Sequence, residues 1–187
     1  MSPSNIGIFA SQISGHLTNY AYESIATITP DGTNLTFTFN SIPSTYKHLQ
    51  IRFLGRWIDS PNYGLIMRFN GDSGTNYSAH YISGDGSSTS VGAYTSISFA
   101  YPTPNIPGSG LSANIYGASV IDVMDYQNTN KNKTMRALGG YDANGSGQLY
   151  FASSTWYNTA AITSVTIGST AGKLTTSSKI ALYGIKG

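Results

Sequence analysis

The chain has 187 residues, a formal net charge of +2, 40% hydrophobic residues and only 10% charged ones, against roughly 25% charged in an average globular domain. That length fits one domain, and the apolar content argues against disorder, while no apolar run of about 18 residues offers a membrane helix. Glu23 is the only glutamate, whereas glycine (21) and tyrosine (14) abound, so the composition favours strands and turns over helices.

Residues 1–21 stand apart. Ile6, Ile8, Phe9, Ile13 and Leu17 are set among small residues, and Gly7 and Gly15 interrupt any regular element. An apolar segment with no period of its own reads as a docking arm, laid on its own core, on a neighbouring subunit or on a larger particle. From Tyr22 the pattern becomes strand, turn, strand. Tyr22 to Thr29 reads as a strand closed by the turn Pro30-Asp31-Gly32. Leu35, Phe37 and Phe39 alternate with threonines, and Leu49, Ile51 and Phe53 with Gln50 and Arg52, the period of strands with one buried face. Leu65, Met67 and Phe69 precede the turn Asn70 to Gly74. Ser78 to Ile82 and Val91 to Phe99 flank the turn Gly84-Asp85-Gly86.

The proline-rich stretch Tyr101 to Gly110 is expected to be a surface loop or an edge crossing, because proline donates no ladder hydrogen bond. Strands resume at Ile115–Tyr126, Thr134–Tyr141, Gln148–Ser153, Ile162–Ile167 and Lys179–Ile185. In Ala118 to Met124 and Ile180 to Ile185 apolar residues fall on both faces, the mark of central strands or of strands at a subunit interface. Ten or eleven strands with turns every ten to fifteen residues predict an all-β fold: one β-sandwich of jelly-roll type over residues 22–187, preceded by the arm.

Chemistry-bearing motifs are scarce. Asn70-x-Asp72-x-Gly74-x-Asn76 spaces oxygen donors like a calcium loop, but Tyr81 stands where the closing acid belongs, so an Asx-rich turn is the better reading. His16, His48 and His80 lack metal-ligand spacing. Asp122 and Asp125 point to opposite faces of a strand, and Lys131, Lys133 and Arg136 form no basic run. No nucleophile elbow, zinc-binding pair or phosphate-cradling loop occurs. The reading is therefore a non-enzyme with no catalytic residue, no cofactor and no metal, and with neither nucleic acid nor membrane as a partner. Amphipathic aromatics favour interfaces and sugar faces. Trp57, Trp156 and Tyr157 are the candidates for contact with a glycan or a partner, beside the bland reading of core packing.

Four phrases carry a resemblance. They are Ser41-Ile-Pro-Ser-Thr-Tyr-Lys-His-Leu-Gln-Ile-Arg52, Met67-Arg-Phe-Asn-Gly-Asp-Ser-Gly-Thr-Asn-Tyr77, Val120-Ile-Asp-Val-Met-Asp-Tyr126 and Ala181-Leu-Tyr-Gly-Ile-Lys-Gly187, and the opening Ser4-Asn5-Ile6-Gly7-Ile8 joins them. Together they resemble virion structural proteins of tailed bacteriophages, of the marine and cyanobacterial type. The resemblance implies a particle component, a capsid decoration protein or a tail fibre or tip protein, and brings no catalytic motif. The absence of cysteine and of an evident secretory signal agrees with a protein made in the host cytoplasm and released in virions by lysis. The expected partners are further copies of the chain, as a trimer, and major capsid or tail proteins. A host surface glycan is the partner under the alternative reading, a carbohydrate-binding module that contacts a receptor.

Overall fold

The computed structural model describes residues 21–59 and 62–187; the arm residues Ile6, Ile8, Phe9, Ile13 and Leu17 lie outside them. Among the described residues there is no helix, and twelve strands pair entirely antiparallel in two sheets. The strands are β1 (Tyr22–Ile28), β2 (Thr36–Phe39), β3 (His48–Gly55), β4 (Asn62–Phe69), β5 (Tyr77–Gly84), β6 (Thr89–Ile97), β7 (Ala100–Pro107), β8 (Gly117–Met124), β9 (Lys133–Asp142), β10 (Gly147–Trp156), β11 (Val165–Gly168) and β12 (Lys179–Ile185). The large sheet runs β1-β12-β3-β8-β9-β10-β5-β6 and the small one β2-β11-β4-β7.

The two sheets form a sandwich because alternate residues of each are apolar and face each other. Leu49, Ile51, Ile121, Val123, Met135 and Tyr150 descend from the large sheet. Phe39, Leu65, Met67, Phe69, Val165 and Ile167 rise from the small one, and all are buried in one core. Tight turns between strands are held by side-chain oxygens. The Asp31 carboxylate accepts from the Thr33 and Asn34 amides, and Asp85 accepts from Ser87 and Ser88. These backbone donors hold both carboxyls well below the usual carboxylate range.

One stretch departs from the loop expectation and takes the edge alternative. The proline-rich segment is not a loop: Ala100 to Pro107 is strand β7, at the edge of the small sheet against β4. Its register slips twice, between Tyr63 and Leu65 and between Leu65 and Met67. Bulges and an edge position let a strand carry prolines, since the missing amide would face away from the ladder. Its side chains turn inward, and Pro102, Thr103, Ile106 and Pro107 are buried beneath the large sheet.

Candidate functional site

Two of the three aromatic candidates are core residues. Trp57 is fully buried, with its Nε1 donating to the Tyr63 carbonyl at 2.7 Å and its backbone bridging Leu174. Trp156 is buried between Phe69 and Tyr77, ring centroids 5.6 and 6.3 Å away, and its Nε1 donates to Asp72 Oδ2 at 2.7 Å. Neither ring can touch a glycan or a partner, which corrects the expectation for both. A large apolar ring gains most from burial when its single N–H finds an acceptor. Tyr157, next along the chain, is 58% exposed and its hydroxyl meets Ser78 Oγ at 3.2 Å.

The Asx-rich loop that resembles a calcium site is a structural turn. The Asp72 carboxylate accepts from the Gly74 amide at 2.8 Å, from Asn76 Nδ2 at 2.9 Å and from Trp156. The indole first, and then Asn76, lower its pKa below the ordinary value. Among the described residues no three His, Cys, Asp or Glu side chains gather to hold a metal ion.

Three of the four phrases singled out in the sequence meet at one end of the large sheet. The Tyr46 ring covers Gly184, where a Cβ would come within 2.2 Å of the ring. Lys47 N donates to the Ile185 carbonyl at 2.7 Å, the Asp125 amide to His48 Nδ1 at 2.9 Å, and the Tyr126 hydroxyl to the Pro43 carbonyl. Adjacent strands β12, β3 and β8 therefore carry one packing unit, spread over more than a hundred residues of chain. The fourth phrase holds Asp72 and its turn.

The basic residues near β9 are each engaged. Lys131 pairs with Asp125, and Arg136 NH2 lies 3.3 Å from Asp122 Oδ2. Lys133 is fully buried, and its Nζ donates to the carbonyls of Asn128 (2.7 Å), Lys131 (3.1 Å) and Thr159 (2.8 Å). Burial pushes its pKa down.

The unusual surface is the outward face of the large sheet. Successive strands place Val120, Leu138, Phe151, Ile82 and Val91 in one continuous row, each paired in register with the next. Leu138 is 54% exposed and Val91 73%. The next row adds Leu54 and Leu149, with Ala118, Gly140 and Gly84 in register between and beside them. Sequence reading found only the β8 part of this face. The same signal stood in Leu149-Tyr150-Phe151, three consecutive apolar residues that a one-sided strand does not need.

Two concave regions adjoin the face. A cleft of about 600 Å³ lies between the β5–β6 and β9–β10 turns, floored by Leu138 and Leu149 and walled by glycines. Its two carboxylates do not converge on a substrate position, since Asp85 caps its own turn and Asp142 accepts from the Asn144 amide. A second cleft, of about 270 Å³, is lined by Tyr94, Ile97, Phe99 and Tyr101. Tyr94 meets Tyr101 edge to face at 5.6 Å and stacks on Tyr81 at 5.9 Å. Burial pushes the Tyr101 phenol up to about 12 and Tyr150 higher still, and among the described residues the buried Tyr150 hydroxyl finds no hydrogen-bond partner. Tyr101 and Tyr150 are neutral phenols at physiological pH.

No family model matches the chain, and no curated protein matches it. Among solved structures it is similar to the marine PL-14 alginate lyase from Aplysia kurodai, at TM-score 0.30 and 12% identity over 91% of this chain and 93% of that one. It is also similar to the infectious bursal disease virus VP2 subviral particle, at TM-score 0.12 and 11% identity over 88% of this chain and 39% of that one. At these scores neither likeness bears on function.

Proposed function

We propose that the chain is a structural protein on the exterior of a tailed-phage virion, a capsid decoration protein or a tail fibre or tip component. The observation that supports this reading is the apolar outer face of the large sheet. Monomeric proteins seldom leave contiguous apolar patches beyond a few hundred Å², so a sandwich with such a face is suited to working inside an assembly. The resemblance of the four phrases to phage virion proteins points the same way. In this reading the chain self-associates, its arm residues Ile6, Ile8, Phe9, Ile13 and Leu17 attach it to major capsid or tail proteins, and it leaves the host in virions on lysis.

Labelled chain located by electron microscopy on purified phage particles tests the proposal. Label on the head supports decoration and label on the tail supports a fibre or tip protein. Particles that carry no label, made from a lysate that contains the chain, would sink the reading.

A second reading, a receptor-binding carbohydrate module, is favoured by one feature, the cleft of Tyr94, Phe99 and Tyr101. Aromatic walls with hydroxyl tips suit the face of a sugar ring, and the volume is below the about 300–1,000 Å³ of sites for drug-sized ligands. A glycan array probed with the wild type and with Tyr94→Ala decides it. Binding lost in the variant supports a receptor role, and a silent array removes it.

A further inference from the structure

We infer that the outer face of the large sheet is a self-complementary surface that takes a second copy of this chain, the two large sheets stacking face to face about a two-fold axis parallel to their strands. The inference rests on the assembly reading above and names the partner of that face.

Area is the first argument. The six strands from β3 to β6 lie about 4.8 Å apart, and three outward rows about 7 Å apart cross them, a plane on the order of 600 Å². Side-chain relief raises the accessible area above that of the plane, toward the about 800 Å² per partner of a standard interface. The two apolar rows form the centre. The third row is polar, with Gln50 Nε2 donating to Asp122 Oδ1 at 2.8 Å and Arg136 beside Asp122. An apolar centre with a satisfied polar rim is the anatomy of a protein interface.

Charge is the second argument, and it selects the symmetry. In register with Leu54 the row ends at Lys179, and the row of Val120 runs through Arg52 to Ala181 and Thr27. At the opposite end Gly84 runs into Asp85, whose carboxylate is exposed and ionised. The face therefore has a cationic end on β12 and β3 and an acidic end at the β5–β6 turn. A two-fold axis along the strands reverses the order of strands in the second copy. It brings the acidic end of one copy over the cationic end of the other. With the axis between β9 and β10, Leu138 faces Phe151 of the second copy and Val120 faces Ile82 of the second copy. Twisted sheets stacked with near-parallel strands are an ordinary packing. Three copies about one axis cannot all meet face to face, so this contact favours a pair over the trimer anticipated from sequence.

The test is the mass of the full-length chain by sedimentation between about 1 and 100 µM. The expected result is a species of twice 19.9 kDa, reduced to a single chain by Leu138→Asp with unchanged circular dichroism. Phe151→Ser is the second variant, since both side chains point away from the core and one of the two should fold. Lys179→Glu is expected to raise the dissociation constant by about tenfold at low salt, an effect that shrinks at 1 M salt, where the screening length is about 3 Å. A monomer at every concentration, a trimer, or folded variants that keep the wild-type mass would each overturn the inference. Variants that keep that mass but no longer enter particles would assign the face to the particle instead. The inference would then fail while the virion reading stood.

Discussion

Lys133 shows how a single cation, with no counter-ion among the described residues, organises a loop region. Its three donors meet three carbonyls from the β8–β9 connection and the Thr159 segment, so the ammonium replaces water for all three. Lys133→Met keeps the stem and removes the donors, and leaves three acceptors to find water or stay unpaired. A loss of about 3 kcal/mol is expected, read as a lower midpoint in urea with an unchanged slope. Asp72 does the converse work with a carboxylate. Its pKa is lowered from the ordinary 3.8, first by Trp156 and then by Asn76. A carboxyl depressed in the folded state adds stability that is full above its unfolded pKa and is lost as pH falls through the folded one. Thermal midpoints should therefore drop below about pH 4, and Asp72→Asn should flatten part of that drop. Asp72→Ala strands a buried indole N–H and is expected to cost about 1–3 kcal/mol at pH 7. Equal acid slopes in wild type and Asp72→Asn would remove this carboxyl from the account.

Two strands of the small sheet, β2 and β11, are short, and β11 depends on close backbone approach. β11 has four residues and sits between β2 and β4. At Gly168 an added Cβ would fall 2.2 Å from the Leu35 carbonyl oxygen, a contact that only backbone movement relieves. Gly168→Ala is expected to destabilise by about 2 kcal/mol, whereas Gly71→Ala, where nothing lies within 4 Å, carries only the strain of its positive φ. Comparable midpoints for the two variants would show that β11 yields easily. The period-two alternation of β2, β3 and β4 was readable because it is local: each residue's neighbours two along share its face. β7 was not, because a proline-rich segment becomes a strand only when an edge is open to receive it, and openness belongs to the sheet.

The twelve strands among the described residues lie between Tyr22 and Ile185, and deletion tests the role that the sequence suggests for the arm. Deletion of residues 2–20 is expected to leave the strand signature in circular dichroism and the solubility largely unchanged while abolishing entry into particles. Ile8→Asp with Phe9→Asp should do the same. A deleted chain that fails to fold would make the arm part of the core, and one that folds and still assembles would move attachment to the sandwich surface.

Composition and alternation alone determined the all-β class, the two-sheet sandwich and most strand positions, since these follow from the residues' own preferences and period. The tertiary structure alone decided which apolar residues are covered. Trp57 and Trp156 went inside because acceptors stood ready at Tyr63 and Asp72. Leu138 and Phe151 stayed outside because β9 and β10 turn their other faces to the small sheet. Three distant phrases became one packing unit because β12, β3 and β8 are neighbours. Strand order is set by the best joint burial of all inward faces, a sum over the whole chain that no local window of sequence contains.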